Sequence, residues 1–473
     1  MLFNSFNFLL FFPAVCLLYY ITNKKYKWLL LLVASYFFYM NWQPTYAILI
    51  FFSTIVTYLC AYKIEKTEKK WHKKKYLIAS LIINLSILFL FKYYNFFNTS
   101  VFGLLQELGI RVQLPNFKYL LPVGISFYTF QAVGYTIDVY RGDIKHEKHF
   151  GVYALFVSFF PQLVAGPIER AKNLLPQFKT YKKFDYEKAV VGVKLMVWGF
   201  FMKLVVADRL AIYVNSVYGN VEYHSSISLL TATLFFAVQI YCDFAGYSNI
   251  AIGCAKVMGF DLMTNFRRPY FAQSCAEFWQ RWHISLSTWF RDYVYIPLGG
   301  NQVSKNRNYI NILITFVVSG LWHGANWTFV IWGALNGFYQ IVFKIFRFNP
   351  GKKGRKERRP FTYLSNIILT FVLICFSWIF FRADSFSHAF EIIKRMVSEL
   401  GPIFIGDNSS FVYGIFGILL LFLKDGFDEF LPEKKIFFSS SYRSVRTLSY
   451  AVVVILIMMI GVFDGGQFIY FQF

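Results

Sequence analysis

Apolar runs long enough to cross a lipid bilayer recur along the whole of this chain. They measure about 17 to 25 residues, the length that a helix needs to traverse the hydrocarbon layer. Composition agrees, because 57% of the 473 residues are hydrophobic and 15% are charged. Backbone amides in hydrocarbon must be paired within the chain, and the runs lack the polar alternation of a barrel strand. We therefore predict an all-α, polytopic membrane protein.

The runs predict about 11 or 12 transmembrane helices that together form a single integral-membrane domain over residues 1–473. The predicted spans lie near residues 6–22, 28–41, 46–62, 76–95, 119–138, 187–212, 227–246, 309–321, 325–343, 362–381, 409–424 and 448–464. The first run has no Lys or Arg before it, and basic residues rather than a small-residue cleavage site follow it. We expect it to be a retained span and not a signal peptide.

The formal net charge of +23 would suggest nucleic acid in a soluble protein, but here the positive charge lies in loops between the apolar runs. Three loops carry much of it: Lys24 to Lys27, Lys63 to Lys75 with seven lysines against two glutamates, and Lys344 to Arg359 with eight basic residues against one acid. Asn41 to Thr45 and Asn215 to Ser228 lack basic residues. The positive-inside rule places the basic loops in the cytoplasm and the N-terminus outside.

Two regions break the alternation of spans and loops. The apolar stretch Phe150 to Ala165 is short and interrupted by Pro161, which is typical of a re-entrant or interfacial element. The stretch Thr264 to Asn308 is rich in Arg and Trp, with apolar residues at roughly helical spacing among the charges. We expect amphipathic helices here that lie against the cytoplasmic side of the bilayer or dip into it.

The sequence SGLWHGANW places His323 between two apolar runs, with Gly320 and Gly324 close by. The run 309–321 is too short to span comfortably, so we expect His323 to lie within the depth of the membrane. An ionisable residue there is costly to bury and is a candidate functional residue, and the glycines permit close approach of a ligand. The alternative is a neutral histidine that is hydrogen-bonded between helices.

His283 shares the aromatic surroundings of His323, because it lies beside tryptophan in QRWHISLSTWFRDY. The other five histidines lie in charged loops or polar segments. His283 is therefore the candidate partner of His323. The alternative is an interfacial histidine beside an aromatic belt.

Other chemistries find little support in the sequence. It contains no phosphate-binding loop, no nucleophile elbow, no HExxH motif and no Cys/His cluster with metal spacing, so we predict no metal site. The intramembrane acids Asp138 and Asp243 could carry protons or ions in a secondary transporter, or hydrogen-bond a neighbouring helix. A transporter should also show paired halves with matched interrupted helices, and we find none.

Several longer motifs carry a family resemblance. They are LPVGISFYTFQAVGYTIDVYRG, FPQLVAGPIER, FWQRWHISLSTWFRDYVYIPLGGN, SGLWHGANWTFVIWGALNG and the terminal FIYFQF. These motifs resemble the bacterial alginate O-acetyltransferase branch of the membrane-bound O-acyltransferases over nearly the whole chain, with the core motifs at about 119–345. The resemblance implies a ring of tilted helices around a thin centre, where a cytoplasmic tunnel meets an outer cavity at a catalytic histidine.

The resemblance assigns the catalytic position in the WHG turn to His323, and a second polar position about forty residues earlier to His283. Imidazole suits the chemistry, because acyl transfer to a hydroxyl needs a base near neutral pH. Donors to the oxyanion could be His283, Asn326 or a backbone N–H at the Gly324 turn. Arg281 and Arg291 could attract phosphates of the donor, or serve topology and lipid headgroups. The predicted substrate-tunnel and oxyanion residues are Arg281, Trp282, Ser285, Arg291, Trp322 and Asn326.

The predicted function is O-acylation, in this branch O-acetylation, of an exported or cell-surface polysaccharide by a multi-pass protein of a bacterial cytoplasmic membrane. The resemblance implies an acyl-CoA or acyl-carrier thioester as donor, no permanently bound cofactor and a separate extracytoplasmic protein that accepts the acyl group. We expect no nucleic-acid partner. The alternatives are D-alanyl transfer from a carrier protein to teichoic acid and, in another class, a secondary transporter.

Overall fold

The structure, a computed structural model, describes residues 1–110, 115–117, 120–164, 166–346, 360–434, 436–463 and 468–469. Within these ranges the chain is helical and contains no β-strand, which confirms the all-α prediction. Residues 347–359 of the predicted basic loop and residues 470–473 of the terminal motif lie outside the described residues. The chain divides into two compact units, one of residues 1–193 and 251–263 and the other of residues 194–250 and 264–473.

The first unit holds nine complete α-helices among its described residues. They are α1 (Phe6–Ile21), α2 (Lys27–Met40), α3 (Ala47–Lys66), α4 (Lys70–Leu88), α5 (Tyr94–Glu107), α6 (Ile125–Arg141), α7 (Phe150–Ser158), α8 (Phe160–Leu163) and α9 (Ala171–Lys179). A π-helical turn at Phe89–Tyr93 joins α4 and α5 into one long stretch. The predicted re-entrant region forms the short, buried helices α7 and α8, neither of which is long enough to cross a bilayer.

The second unit carries the candidate catalytic residues. Two helices run through both units, α10 (Tyr186–Phe200) and α12 (Ser226–Val257). The other helices of the second unit are α11 (Asp208–Tyr218), α13 (Cys275–Arg281), α14 (Ile284–Phe290), α15 (Lys305–His323), α16 (Trp327–Ile345), α17 (Pro360–Arg382), α18 (Phe386–Ser398), α19 (Asn408–Phe430) and α20 (Arg443–Ile460). The core of this unit is built mainly from α11, α12 and α17 with aromatic side chains between them.

Seven helical stretches of the described chain are long and apolar enough to cross a membrane. They are 44–66, 70–107, 186–218, 226–257, 361–382, 408–430 and 443–460. The predicted spans at 6–22, 28–41, 119–138, 309–321 and 325–343 correspond to α1, α2, α6, α15 and α16, which are not among these seven. The protein is therefore a multi-pass membrane protein.

Helices α13 and α14, within the Arg- and Trp-rich stretch, are shorter and more deeply buried than surface amphipathic helices would be. Each has seven residues, and both Trp282 and His283 between them are at most 1% exposed. The Ser274 hydroxyl accepts a hydrogen bond from Glu277 N, and the Glu277 carboxylate accepts one from Gln273 N. This reciprocal cap fixes where α13 begins.

A buried cluster of three charges ties together α11, α12 and the π-helical turn Phe201–Ala207. Lys203 Nζ lies 2.8 Å from Asp208 Oδ1 and 2.5 Å from Asp243 Oδ1, and all three side chains are at most 6% exposed. The second oxygen of Asp243 accepts a hydrogen bond from Ile469 N at 2.7 Å. Asp243, which the sequence also offered as an ion carrier, therefore belongs to a structural ion-pair cluster.

We expect Lys203→Met to destabilise the protein strongly. The substitution leaves two buried carboxylates without their cation, and breaking a buried pair in this way costs about 3–5 kcal/mol. The measurement is the thermal unfolding midpoint of the purified protein in detergent. The matched control is Lys188→Met, because Lys188 is half-exposed and lies 3.6 Å from Asp261, so that its loss should cost less than about 1 kcal/mol. Equal midpoints for the two variants would contradict this account of the cluster.

Candidate active site

His323 is the last residue of α15 and is 3% exposed. Aromatic rings surround its imidazole, with centroid distances of 4.9 Å to Trp322, 5.0 Å to Trp332 and 5.4 Å to Phe381. Trp332 comes from α16 and Phe381 from α17. The histidine thus lies at the joint of α15 and α16, where the sequence predicts it, and inside an aromatic enclosure contributed by three helices.

Glycines allow α15 and α16 to pack closely at the turn that carries His323. A Cβ atom on Gly320 would lie 2.2 Å from Phe329 O, and one on Gly324 would lie 2.0 Å from the Phe329 ring. Real atoms do not approach so closely, so any larger residue would push the two helices apart. In the structure these glycines admit the neighbouring helix, whereas from the sequence we expected them to admit a ligand.

His283 precedes the first residue of α14 and is 1% exposed. Its ring centroid lies 4.4 Å from that of Phe244, 6.0 Å from that of Trp322 and 6.5 Å from that of His323. The structure therefore brings the two predicted catalytic histidines together in one buried region. The His283 side chain is buried among rings of the protein itself.

The backbone of His283 is held in an unusual conformation. Its φ of 41° and ψ of 54° lie in the left-handed region, which is uncommon for residues other than glycine. Hydrogen bonds on both sides maintain it, from Ile284 N to Asn265 O and from Arg267 N to Arg281 O, each at 2.9 Å. Such conformations cost energy and persist where the surrounding structure enforces them, often at functional sites.

Asn265 contacts His283 through its side chain as well. Its Oδ1 lies 3.2 Å from His283 Nδ1, and it accepts hydrogen bonds from Ser285 N at 3.2 Å and from Ser285 Oγ at 3.0 Å. The residue is 1% exposed. Sequence reasoning missed Asn265, because it lies 18 residues before His283 in an irregular segment without periodicity or a recognisable motif.

Arg281 belongs to a partly buried ion-pair network. Its Nη2 lies 2.5 Å from Glu277 Oε1 and 3.2 Å from Glu429 Oε1, and Arg268 Nε lies 2.8 Å from Glu429 Oε2. Glu429 is at the end of α19, so the network ties that helix to both ends of the segment that leads to His283. The guanidinium of Arg281 is thus engaged with two carboxylates, and it helps to position the segment.

The other predicted site residues occupy different surroundings. Trp282 is fully buried and stacks on Phe278 at 5.3 Å. Asn326 caps α16, since its Oδ1 accepts from Thr328 N and its Nδ2 donates to Asp384 O. The side chain of Arg291 is 60% exposed and lies 2.8 Å from Asp292.

A cavity of about 590 Å³ lies beside the histidine pair. Its described lining includes Arg291, Ser287 and Trp279, and it includes Ser319, one turn before His323 on α15. Neither histidine is among the described residues that line it. The ring of Trp279 contacts that of Trp332, which in turn contacts the ring of His323. Two aromatic rings in contact therefore lie between the cavity and His323.

The site has the groups for proton transfer and acyl transfer. It holds two buried imidazoles whose ring centroids are 6.5 Å apart, and a hydrogen-bonded amide that orients one of them. A cavity with polar and apolar walls adjoins them. No cluster of three potential metal ligands occurs in the part of the chain that the structure describes. Imidazole is suited to general base catalysis near neutral pH.

Comparison with known proteins identifies the family. The model of the membrane-bound O-acyltransferase family matches residues 145–383, which contain both histidines. A probable alginate O-acetylase of Pseudomonas aeruginosa is 38% identical over 400 residues, which cover 84% of this chain and 75% of that protein. A peptidoglycan O-acetyltransferase of Helicobacter pylori is 35% identical over 408 residues, covering 81% and 76%.

A teichoic acid D-alanyltransferase of Bacillus subtilis is more distantly similar, with 28% identity over 276 residues that cover 56% of this chain and 70% of that protein. Family match, extent of similarity and helical architecture agree with the resemblance that the motifs indicate. This chain belongs to the membrane-bound O-acyltransferase family and is an O-acyltransferase.

Proposed function

We propose that this protein transfers an acetyl group from a cytoplasmic thioester to an exported or cell-surface polysaccharide, and that it resides in a bacterial cytoplasmic membrane. The observation that carries the proposal is the burial of His283 and His323 in one aromatic enclosure within a chain similar to two O-acetylating enzymes over more than 80% of its length. The relatives are named for alginate and peptidoglycan, so the shared acceptor chemistry is a polysaccharide hydroxyl.

His323 acts as the general base in this proposal. It takes the proton of the attacking hydroxyl, whose oxygen forms a bond with the thioester carbonyl carbon. The tetrahedral intermediate then collapses, the carbon–sulfur bond breaks, and the departing thiolate receives the proton from the imidazolium. The intermediate's oxyanion needs a donor, for which His283, Asn326 and a backbone N–H at the Gly324 turn are the candidates. The protein needs no permanently bound cofactor for these steps.

The cavity lined by Arg291, Ser287 and Trp279 offers a path for the donor. A coenzyme A ester and an acyl-carrier protein both present a phosphate-bearing, pantetheine-like arm, which needs a cation at the entrance and a mixed polar and apolar lining. Arg291 is the cation among the described residues that line the cavity, and its side chain is 60% exposed beside Asp292. A separate extracytoplasmic protein receives the acyl group before the polysaccharide does.

D-alanyl transfer to teichoic acid is the second candidate. The similarity to a D-alanyltransferase supports it, but that similarity is lower and covers 56% of this chain against 84% for the alginate O-acetylase. A secondary transporter finds less support, because Asp243 is ion-paired with Lys203. The acetyl proposal therefore accounts for more of the chain.

We expect base-labile esters on the envelope polysaccharide to depend on this protein and on His323. Removing a general base lowers the rate by about 10²–10⁴-fold, so cells with His323→Ala should contain as little ester as cells without the protein. The measurement is acetate, and separately D-alanine, released from purified polysaccharide by mild base. The comparison requires equal amounts of the wild-type and His323→Ala proteins, which immunoblots of membranes measure. Unchanged ester in cells that lack the protein would overturn the proposal, and release of D-alanine in place of acetate would favour the second candidate.

We expect His283→Asn to retain more activity than His283→Ala. Asparagine tolerates the left-handed backbone of this position and can still form hydrogen bonds, whereas alanine loses the polar group and fits the backbone less well. The readout is the same ester analysis, with equal amounts of protein in the membrane. Complete loss of ester in both variants would show instead that the proton chemistry of imidazole is required here.

The proposed direction of transfer requires the loop around residues 215–228 to be outside and the loop around residue 355 to be inside. Tyr223 is 79% exposed and suits labelling, while Tyr218, the last residue of α11, is buried. A membrane-impermeant maleimide should label Tyr223→Cys in spheroplasts, and Arg355→Cys only after the membrane is opened. The chain with its six native cysteines gives the background. The reverse pattern would contradict the direction of transfer.

A further inference from the structure

The hydrogen bonds around Asn265 determine which ring nitrogen of His283 carries a proton. A backbone N–H can only donate, and Ser285 N lies 3.2 Å from the Asn265 side chain, so the atom that faces it must be the carbonyl Oδ1. The same oxygen lies 3.2 Å from His283 Nδ1. An amide oxygen only accepts, and therefore Nδ1 of His283 must donate its proton to Asn265.

The surroundings of His283 favour a neutral ring. Its imidazole packs against the rings of Phe244, Phe266 and Trp322, and the one titratable ring among its described aromatic contacts is that of His323. Burial lowers the pKa of His283 well below its usual value, and the residue lies outside the seven long apolar helices. A neutral imidazole has a single ring proton, and with that proton on Nδ1 the Nε2 atom carries a lone pair.

We propose that Asn265 is a positioning residue that holds His283 as the Nδ1–H tautomer, so that His283 serves acyl transfer as a hydrogen-bond acceptor at Nε2. The tautomer follows from the geometry alone, and its use in the reaction rests on the proposed function. A ring in this state cannot donate from Nε2 to the oxyanion. The oxyanion donor must then come from another group, such as a backbone N–H at the Gly324 turn.

Asn265 suits this task because it fixes the ring and the backbone of His283 together. Its side chain sets the tautomer. Its backbone carbonyl oxygen accepts a hydrogen bond from Ile284 N, the residue that follows the left-handed His283. The effect of a wrong tautomer can be large: in serine proteases, replacing the residue that orients the catalytic histidine lowers kcat about 10⁴-fold. Asn265 touches no reacting atom in this scheme and acts through His283.

The direct test is nuclear magnetic resonance of the full-length protein, labelled with ¹⁵N and ¹³C in histidine and reconstituted in lipid nanodiscs. The His283 signals are those that disappear in His283→Asn. We expect a neutral ring protonated at Nδ1. A ring protonated at Nε2 in the wild-type protein would overturn the proposal, whatever the behaviour of any variant.

Two substitutions test the part that Asn265 plays. Asn265→Ala removes the acceptor, so the His283 signals should shift toward the Nε2–H tautomer and ester formation should fall by about 10²-fold or more. An ionised aspartate has oxygens that accept hydrogen bonds and cannot donate them. The Asn265→Asp protein should therefore retain the Nδ1–H tautomer and form more ester than the Asn265→Ala protein. If Asn265→Ala does not fold, the wild-type and Asn265→Asp spectra still decide. An unchanged tautomer in a folded Asn265→Ala, or loss of the Nδ1–H tautomer in Asn265→Asp, would contradict the proposal.

The matched control is Asn41→Ala, because Asn41 is exposed at the end of α2 and should leave both the His283 signals and the ester content unchanged. The resonance data and the ester data also separate two kinds of failure. Absence of ester with the wild-type protein would refute the proposed function and leave the tautomer assignment standing. Normal ester formation by an Asn265→Ala protein whose tautomer has changed would refute the use of Nε2 as an acceptor.

Discussion

The constraint on which this structure depends is that hydrocarbon offers no hydrogen-bond partners. Each polar group that enters a membrane-spanning unit must find its partner within the chain, because an unpaired buried polar group costs several kcal/mol, on the order of 2–7. Helices satisfy the backbone, and specific pairs satisfy the side chains. Lys203 with Asp208 and Asp243 is one such group, and Glu429 with Arg268 and Arg281 is another. The first set joins residues up to 40 positions apart, and the second joins residues 148 and 161 positions apart.

The same constraint explains how two imidazoles can be buried side by side. A protonated ring would be expensive in the aromatic surroundings of His283, where burial lowers the pKa of the imidazole, so a neutral ring is favoured there. A neutral ring can take up a proton during the reaction and give it back to the leaving group without leaving a permanent buried charge. Aromatic walls from Trp322, Trp332 and Phe381 exclude water and strengthen the interactions that orient the rings.

Much of the fold, and the part of the candidate site around His323, could be predicted from the sequence. Apolar runs and glycines made the α15–α16 hairpin and the position of His323 visible, because both are local properties of the chain. His283 was indicated by its tryptophan neighbours and strengthened by the family resemblance, since its seven-residue neighbouring helices are too short to give a clear periodic signal. Asn265 and Glu429 could not be found, because their importance comes from contacts across 18 and 148 residues that no local pattern encodes. The long helix α12 also continues beyond its predicted end at residue 246, as far as Val257, and the polar residue Ser248 in this continuation is buried.

The two histidines are supported by different kinds of structure, and this difference bears on their chemistry. His323 ends a helix whose position is set by close glycine packing, so its freedom is limited by shape. His283 lies in a left-handed turn whose position is set by hydrogen bonds to Asn265, so its freedom is limited by donor and acceptor directions. Packing constrains where a ring lies, whereas a hydrogen bond to one ring nitrogen also fixes the tautomer. A hydrogen bond at Nδ1 suits a residue that must present a fixed lone pair at Nε2. In the proposed scheme, Asn265 therefore fixes the ring proton of His283, while the packing of α15 against α16 fixes where the ring of His323 lies.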